Sequence, residues 1–356
     1  MARPLPEAEL QEAVDLVGDW SPLQGARIFI TGGTGFFGKW LLEVLGMANR
    51  TLDLQAEAVV LSRDPGAFLL DMPHLRNQPW LRFHLGDITT FKAPQGPFSH
   101  LIHGAASSDA REYTTDPVAM HRTMVEGTRR VMHHVANQGS IRLLILSSGA
   151  VYGPQPTDLI RIPEDFPLPA HTKAQTPAEI YAQSKRMTER IAAQHCDQLG
   201  YSCSIARCFA FAGPHLPLDR HFAFGNFIRD AMQGCNIRVN GDGTPMRSFL
   251  YTSELAAWLW ALTIRGSSTT YNVGSSEALS ILDLAQAIGK EASIPVQVAH
   301  DPMPGQTPSR YVPNIAKISA EMGLTPKVTI DDTIRRSLSW HLGSTFSKHS
   351  HPMRHP

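Results

Sequence analysis

Six short runs along the chain are apolar and rich in β-branched or aromatic residues: RIFIT (27–31), EAVVLS (57–62), LRFHLGD (81–87), HLIHGAA (100–106), IRLLILSS (141–148) and YSCSIARCFA (201–210). The unbroken apolar stretch Leu143–Leu144–Ile145–Leu146 predicts a strand covered on both faces, because a strand with one wet face alternates. Longer segments with apolar residues at helical spacing separate these runs: a helix ending near Met47, one from about Val118 to Asn137, and one over 177–200. Strands alternating with helices of ten or more residues predict right-handed βαβ units and an α/β fold with a doubly wound parallel sheet. Upstream, residues 7–20 place Leu10, Val14, Leu16 and Val17 near one helical face, which predicts a helix lying on the domain surface.

After Gly213 the regular repeat ends. Prolines and glycines become frequent around short elements such as FGNFIRDAMQG, IRVNGDG and YNVGSSEALSILDLAQAIG. This texture predicts a smaller C-terminal α/β substrate lobe docked beside the carboxyl edge of the sheet, where ligands bind in such folds. The predicted organisation is a helical extension (1–25), a nucleotide-binding domain (26–210), a substrate lobe (211–342) and a disordered tail (343–356). Trp258 and Trp260 in LAAWLWAL read as core of the smaller lobe.

Composition narrows the partners. Lys plus Arg and Asp plus Glu number 32 each in 356 residues, so net charge directs the chain neither to nucleic acid nor to an anionic membrane. MARPLPEAEL has no signal pattern, and no apolar run approaches the roughly 20 residues of a membrane span; a cytoplasmic protein is expected. Cys196, Cys203, Cys208 and Cys235 lack metal-binding spacing and read as reduced, partly buried thiols, with no metal site.

The candidate chemistry begins at Thr31-Gly32-Gly33-Thr34-Gly35-Phe36-Phe37-Gly38, which follows a strand and opens a helix. Glycines 32, 35 and 38 allow a tight turn and close approach to a pyrophosphate, and the helix start supplies free N–H groups and a positive dipole end. This predicts dinucleotide binding. The acid expected about 20 residues on, which would hold a ribose 2′-hydroxyl, is absent: Ser62-Arg63 stand there. A hydroxyl and a guanidinium suit a 2′-phosphate, so NADP(H) is favoured over NAD(H); the alternative leaves Arg63 in solvent and gives the ribose to Asp64. Asp87, followed by Ile88, is placed either to contact adenine or to cap a turn.

Tyr181 and Lys185 lie at i, i+4 within one predicted helix and share a face. A phenol ordinarily titrates near pH 10; a neighbouring ammonium favours its anion and lets Tyr181 exchange a proton near neutrality. Ser148, at the tip of the fifth strand, is placed to bind the same substrate oxygen.

With these residues in view, the chain resembles the extended short-chain dehydrogenase/reductases of the nucleotide-sugar epimerase/dehydratase type. The likeness runs from about 26 to 342 and rests, in order, on TGGTGFFG, GDI, HGAA, VEGT, SSGAVYG, YAQSK, RCFAFAGP, RSFLYTSEL and YNVGS. It implies a Rossmann-type domain with a sugar-nucleotide lobe and a Ser148–Tyr181–Lys185 set. It further implies cofactor contacts from Gly32, Thr34, Gly35, Phe36, Phe37, Gly38, Ser62, Arg63, Asp87, Ile88, Ala105, Ala106, Tyr181 and Lys185. Arg247 would bind the substrate diphosphate, unless it pairs with Glu254 at the surface. Asn226 would meet the diphosphate or base, unless it is a helix-surface residue. Tyr152 would line the sugar pocket, unless it packs, and a homodimer would form through the helices around 118–137 and 177–199.

Departures from the family pattern are informative. The dehydratases carry Asp-Glu directly after the strand-tip hydroxyl, whereas this chain has Gly149 and Ala150, neither of which moves a proton. Met124 and Ala210 stand where the family usually has Asn. Three readings follow. One is an NADP(H)-dependent reductase of a nucleotide-linked 4-keto-6-deoxy sugar. The second is a nucleotide-sugar 4-epimerase with bound cofactor, and the third a silent NADP-binding protein. A 4,6-dehydratase is disfavoured. Glu164 and Asp165 read as solvated.

Overall fold

A computed structural model describes residues 3–105, 114–136, 141–169, 174 and 176–343; Ala106 and the tail from 344 lie outside them. The order is α1 (Glu7–Val17), β1 (Arg27–Thr31), α2 (Phe36–Leu52), β2 (Glu57–Ser62), α3 (Pro65–Asp71), β3 (Leu81–Leu85), β4 (His100–His103), α4 (Pro117–Val135), β5 (Arg142–Ser148), α5 (Pro177–Leu199) and β6 (Ser202–Cys208). The remainder comprises β7 (Phe211–Ala212), α6 (Ala223–Met232), β8 (Ile237–Val239), β9 (Met246–Arg247), β10 (Leu250–Tyr251), α7 (Thr252–Arg265), β11 (Thr270–Val273), β12 (Leu279–Ser280), α8 (Ile281–Ala292), β13 (Val296–Val298), β14 (Arg310–Tyr311), α9 (Ala316–Met322) and α10 (Ile330–Leu342). The six expected strands are present, each within a few residues of its sequence-based bounds.

The main sheet has seven strands in the order β11-β6-β5-β4-β1-β2-β3, all pairs parallel. This is the doubly wound Rossmann-type arrangement. The order reverses between β1 and β4, and the carboxyl ends of these strands form the crevice where such sheets bind ligands. One strand was not expected: β11, from the C-terminal part of the chain, returns to the sheet and pairs with β6 over Thr270–Val273. The remaining C-terminal strands form small two- and three-stranded sheets.

The tryptophan pair corrects the sequence expectation. Trp258 and Trp260 are fully buried, but in the main core with Ile28, Val60, Leu144 and Ala206 of the sheet, not in a core of the smaller lobe. Every residue of α7 from Thr252 to Ile264 is buried. A helix apolar on all sides needs cover on all sides, and α1 supplies the outer cover. Leu10, Val14 and Val17 of α1 are buried, Trp20 lies 5.6 Å from Trp260, and Arg265 donates to the Val17 carbonyl at 2.7 Å. The N-terminal extension thus roofs a helix that would otherwise present apolar surface to water. No described helix is long and apolar enough to cross a membrane.

Candidate active site

The glycine-rich turn is built for close approach. Gly32 has φ +77°, and a Cβ there would lie 2.5 Å from the Gly104 carbonyl carbon; only glycine accommodates both. Gly35 is the N-cap of α2 and offers no side-chain cap, so the first N–H groups of the helix stay free for an anion. Thr34 is half-buried in this turn. Phe36 and Phe37 pack against the core, Phe37 edge-on to Phe211 at 5.2 Å, so their side chains set the helix angle. The donor set fits a dinucleotide pyrophosphate.

Behind the turn lies a relay that sequence reading passed over. Thr128 donates to the Met124 carbonyl at 2.7 Å, so its oxygen accepts from His103 Nε2 at 2.9 Å. His103 Nδ1 then accepts the Thr31 hydroxyl proton at 2.7 Å, and Thr31 Oγ1 accepts the Ala105 N–H at 3.2 Å. This assignment follows from the network. Burial pushes His103 down to about 3, so it stays neutral and fixes the loop around Ala105. Met124, in place of the family's Asn, is buried and contributes its carbonyl.

Arg63 follows the end of β2 and is exposed. Asp64 caps α3, accepting the Ala67 N–H at 2.8 Å, which commits one of its oxygens to the turn. The Ser62 hydroxyl is buried and accepts the Asp64 N–H at 3.2 Å; it serves the turn first, leaving Arg63 as the exposed group of the pair. Asp87 accepts from the Thr89 hydroxyl and amide at 2.6 and 2.9 Å, and these bonds hold its carboxyl below the ordinary range, with Arg63 adding a smaller effect. Ile88 is buried against Gly127 of α4.

The expected Ser148–Tyr181–Lys185 set lies on the tip of β5 and the first turns of α5. Ser148 ends the strand in extended conformation, and its Oγ accepts the Ala150 N–H at 3.2 Å. Helix α5 begins with a capping box, Thr176 and Glu179 satisfying each other's backbone amides, with Pro177 at N1. That firm start places Tyr181 in the second turn and Lys185 one turn on. Lys185 Nζ lies 5.9 Å from the Tyr181 ring centre and donates to the Leu146 carbonyl at 2.8 Å. Burial lowers the ammonium to about 8, opposed by Cys208 and Glu189.

Lys185 therefore predicts a pH effect. As pH rises through about 8 the folded lysine loses its proton before an unfolded one would, so its contribution to stability rises between about 8 and the ordinary lysine value of 10.5. The charge beside Tyr181 disappears over the same window. A kcat/KM profile with a falling basic limb centred near pH 8 is the expected result, and a flat profile from pH 7 to 9.5 would remove Lys185 from this role.

A buried ion pair supports the trio. Glu189 of α5, four residues after Lys185, accepts from Arg207 Nε and Nη2 of β6 at 3.1 and 2.8 Å, and from the Ser147 hydroxyl. Arg207 also covers the Tyr152 ring at 4.8 Å and donates to the Glu164 carbonyl at 3.2 Å. Tyr152 is 2% exposed and donates to Asn272 at 2.8 Å, so the structure uses it for packing and not as pocket lining. Glu164 also departs from expectation: its carboxylate accepts the Asn272 N–H at 2.9 Å, tying the loop to β11.

The C-terminal residues divide. Arg247 does not use Glu254: it donates to the Met246 and Ser309 carbonyls at 2.8 and 3.4 Å. Glu254 instead receives the Lys327 and Val328 amides, and burial raises it to about 7. Asn226 accepts from Arg229 at 3.2 Å along its own helix, as a surface residue would. Arg247 lies opposite Tyr311 in the β9–β14 register, and Tyr311 stacks on Phe209 at 4.7 Å. A Cβ on Gly149 would lie 2.8 Å from both the Phe209 ring and the Tyr311 hydroxyl. Sequence reading missed Tyr311; nothing in the Pro- and Gly-rich stretch around it carries a spacing signal.

Comparison with known proteins follows the same lines. The family described as "NAD dependent epimerase/dehydratase family" matches residues 28–274. UDP-glucuronic acid decarboxylase 1 of Arabidopsis thaliana is 25% identical over 314 residues, 88% of this chain and 69% of that protein. dTDP-glucose 4,6-dehydratase of Shigella flexneri is 26% identical over 344 residues, 90% and 93% of the two chains. Among solved structures, UDP-glucose 4-epimerase of Thermotoga maritima with UDP-glucose superposes with TM-score 0.73 at 16% identity, covering 89% of this chain and 99% of that one. The Bordetella bronchiseptica enzyme WbmF in complex with NAD+ and UDP gives 0.73 at 20%, covering 91% and 94%. The fold, the phosphate turn and the family match agree: this chain belongs to the NAD dependent epimerase/dehydratase family and is a nicotinamide-dependent enzyme of the extended short-chain dehydrogenase/reductase type.

Proposed function

We propose that the protein reduces the keto group of a nucleotide-linked 4-keto-6-deoxy sugar with NADP(H). The observation that carries this reading is the strand tip: a hydroxyl at Ser148 followed by Gly149 and Ala150, with the space beside Gly149 filled by Phe209 and Tyr311. Eliminating water from a sugar by the family route needs an acid for the leaving hydroxyl and a base for the adjacent carbon-bound proton. Neither group is supplied there, and an Asp side chain at 149 would have no room. Reduction of a ketone needs one proton donor, which Tyr181 provides.

The glycine turn and the start of α2 would hold the dinucleotide, with Arg63 available to its ribose, and the bound cofactor would supply hydride chemistry. The protein's own residues hold and protonate the substrate oxygen: Ser148 donates a hydrogen bond to it, Tyr181 gives it the proton, and the Lys185 ammonium favours the phenolate that remains. Arg247 would bind the substrate diphosphate through the guanidinium nitrogens not bonded to the Met246 and Ser309 carbonyls.

A ketoreductase draws on NADPH, and the exposed Arg63 supports that choice. Arg63→Ala is expected to weaken NADPH binding about tenfold and NADH hardly at all, since a charge-assisted hydrogen bond to the 2′-phosphate is lost. Equal weakening of both, measured by fluorescence titration, would refute the assignment.

The reading is tested by supplying a 4-keto-6-deoxy nucleotide sugar and following NADPH absorbance. Stoichiometric consumption supports it. Turnover of UDP-glucuronate to a pentose sugar, the reaction named for the decarboxylase relatives, or interconversion of a non-keto sugar without NADPH loss, would replace it. Both of those reactions begin and end with hydride transfer at C4; decarboxylation adds loss of the carboxyl carbon as CO2 and protonation of C5, and epimerisation adds rotation of the keto sugar between the two transfers.

A further inference from the structure

The segment that carries Tyr311 is fastened to the catalytic strand tip. Val312 donates its N–H to Gln155 Oε1 at 2.9 Å, Ile162 donates to the Val312 carbonyl at 2.9 Å, and Asn314 donates to the Ile162 carbonyl at 2.8 Å. Gln155 and Ile162 lie two and nine residues past the SSGAVYG turn. These bonds, with the Phe209 stack, fix the Tyr311 hydroxyl against Gly149, at 2.8 Å from where a Cβ would stand, and within reach of Ser148. Burial pushes this phenol well above its ordinary range, opposed by a smaller effect of Ser148, so the hydroxyl keeps a proton that it can donate.

From this geometry we infer that Tyr311 is a positioning residue: its hydroxyl donates to Ser148 Oγ and so directs the Ser148 proton toward the substrate oxygen. The balance of hydrogen bonds supports this. One Ser148 lone pair accepts the Ala150 N–H; with the second taken by Tyr311, the serine's single proton points into the crevice. Glycine at 149 is then required, because any side chain there displaces the tyrosine. The C-terminal lobe completes the catalytic centre, as well as shaping the sugar pocket. This inference rests on the assignment of Ser148 as the residue that binds the substrate oxygen.

The test is a double-mutant cycle with a stability arm. Tyr311→Phe removes one oxygen and is expected to lower kcat roughly five- to tenfold, the worth of one neutral hydrogen bond, with KM and NADPH affinity unchanged and Tm lowered by no more than a few degrees. In a Ser148→Ala background the same change should cost less than about twofold, since the tyrosine works through the serine. Full additivity, or an effect confined to KM, overturns the inference.

The stability arm needs no substrate. Gly149→Ala should lower Tm, and adding Tyr311→Phe should recover part of the loss; no recovery overturns the placement of the hydroxyl. If the wild-type protein fails to consume NADPH with the keto sugar, the reductase reading falls. The cycle is then measured on the epimerisation or decarboxylation that the protein does perform, where the same coupling is expected.

Discussion

Tyr181→Phe should lower kcat by roughly 10^2- to 10^4-fold, the range for loss of a positioned acid or base, and leave NADPH affinity within about twofold. The phenylalanine keeps the ring, and with it the packing 5.9 Å from Lys185 Nζ, while removing the one group that can give the substrate oxygen its proton. In the proposed reading, cofactor affinity comes mainly from the glycine turn, the start of α2 and Arg63, with Tyr181 a minor contact. Retention of near-full activity would remove Tyr181 from the proton-transfer role, and loss of cofactor binding in parallel would assign it a structural one. Stopped-flow turnover and fluorescence titration of the same protein sample separate the two.

Arg207→Ala is expected to be the most destabilising single change near the site, by about 3–5 kcal/mol, because it strands a buried carboxylate. Arg207 and Glu189 are 5% and 6% exposed and joined by two hydrogen bonds, so Glu189 would lose the one cation bonded to it and keep only the weaker influence of Lys185 and Arg186. The arginine also spans four pieces of chain: β6, α5, the loop at Glu164 and the Tyr152 ring. Urea unfolding measures the loss. A double variant, Glu189→Leu with Arg207→Met, should be more stable than Arg207→Ala, since replacing both charges removes the unpaired one. A loss below about 1 kcal/mol in Arg207→Ala would show that water reaches Glu189.

Much of this architecture was legible in the sequence because it rests on local signals. The apolar runs at 27–31, 57–62 and 141–148 needed cover on both faces, and the strands formed there. The glycine turn announced itself by following one such run and opening a helix. Tyr181 and Lys185 were found because a helix repeats every turn, so four-residue spacing means proximity.

Other features depend on contacts between distant segments, which no local pattern records. β11 is four residues long and carries Asn272, whose side chain is buried only because Ile162, Asn314 and Tyr152 bond to it. Trp258 and Trp260 were legible as buried, but the surface they bury against depends on where the chain places α7. Tyr311 reaches the strand tip through a stretch of prolines and glycines that has no period. Glu164 looked solvated in a Pro-rich loop, and it is the β11 backbone that gives it a partner. Tyr152 was read in both ways, and burial behind Phe209 decided for packing.

The central claim is that the enzyme delivers hydride to a keto carbon and leaves water in place. The most direct measurement uses NADPH deuterated at the transferring position, with a 4-keto-6-deoxy nucleotide sugar, and reads the product by mass spectrometry and NMR. The account predicts one deuterium per sugar, bonded to C4, with one NADPH consumed for each product. A product free of deuterium, or a product formed by loss of water from an unoxidised sugar, would contradict it.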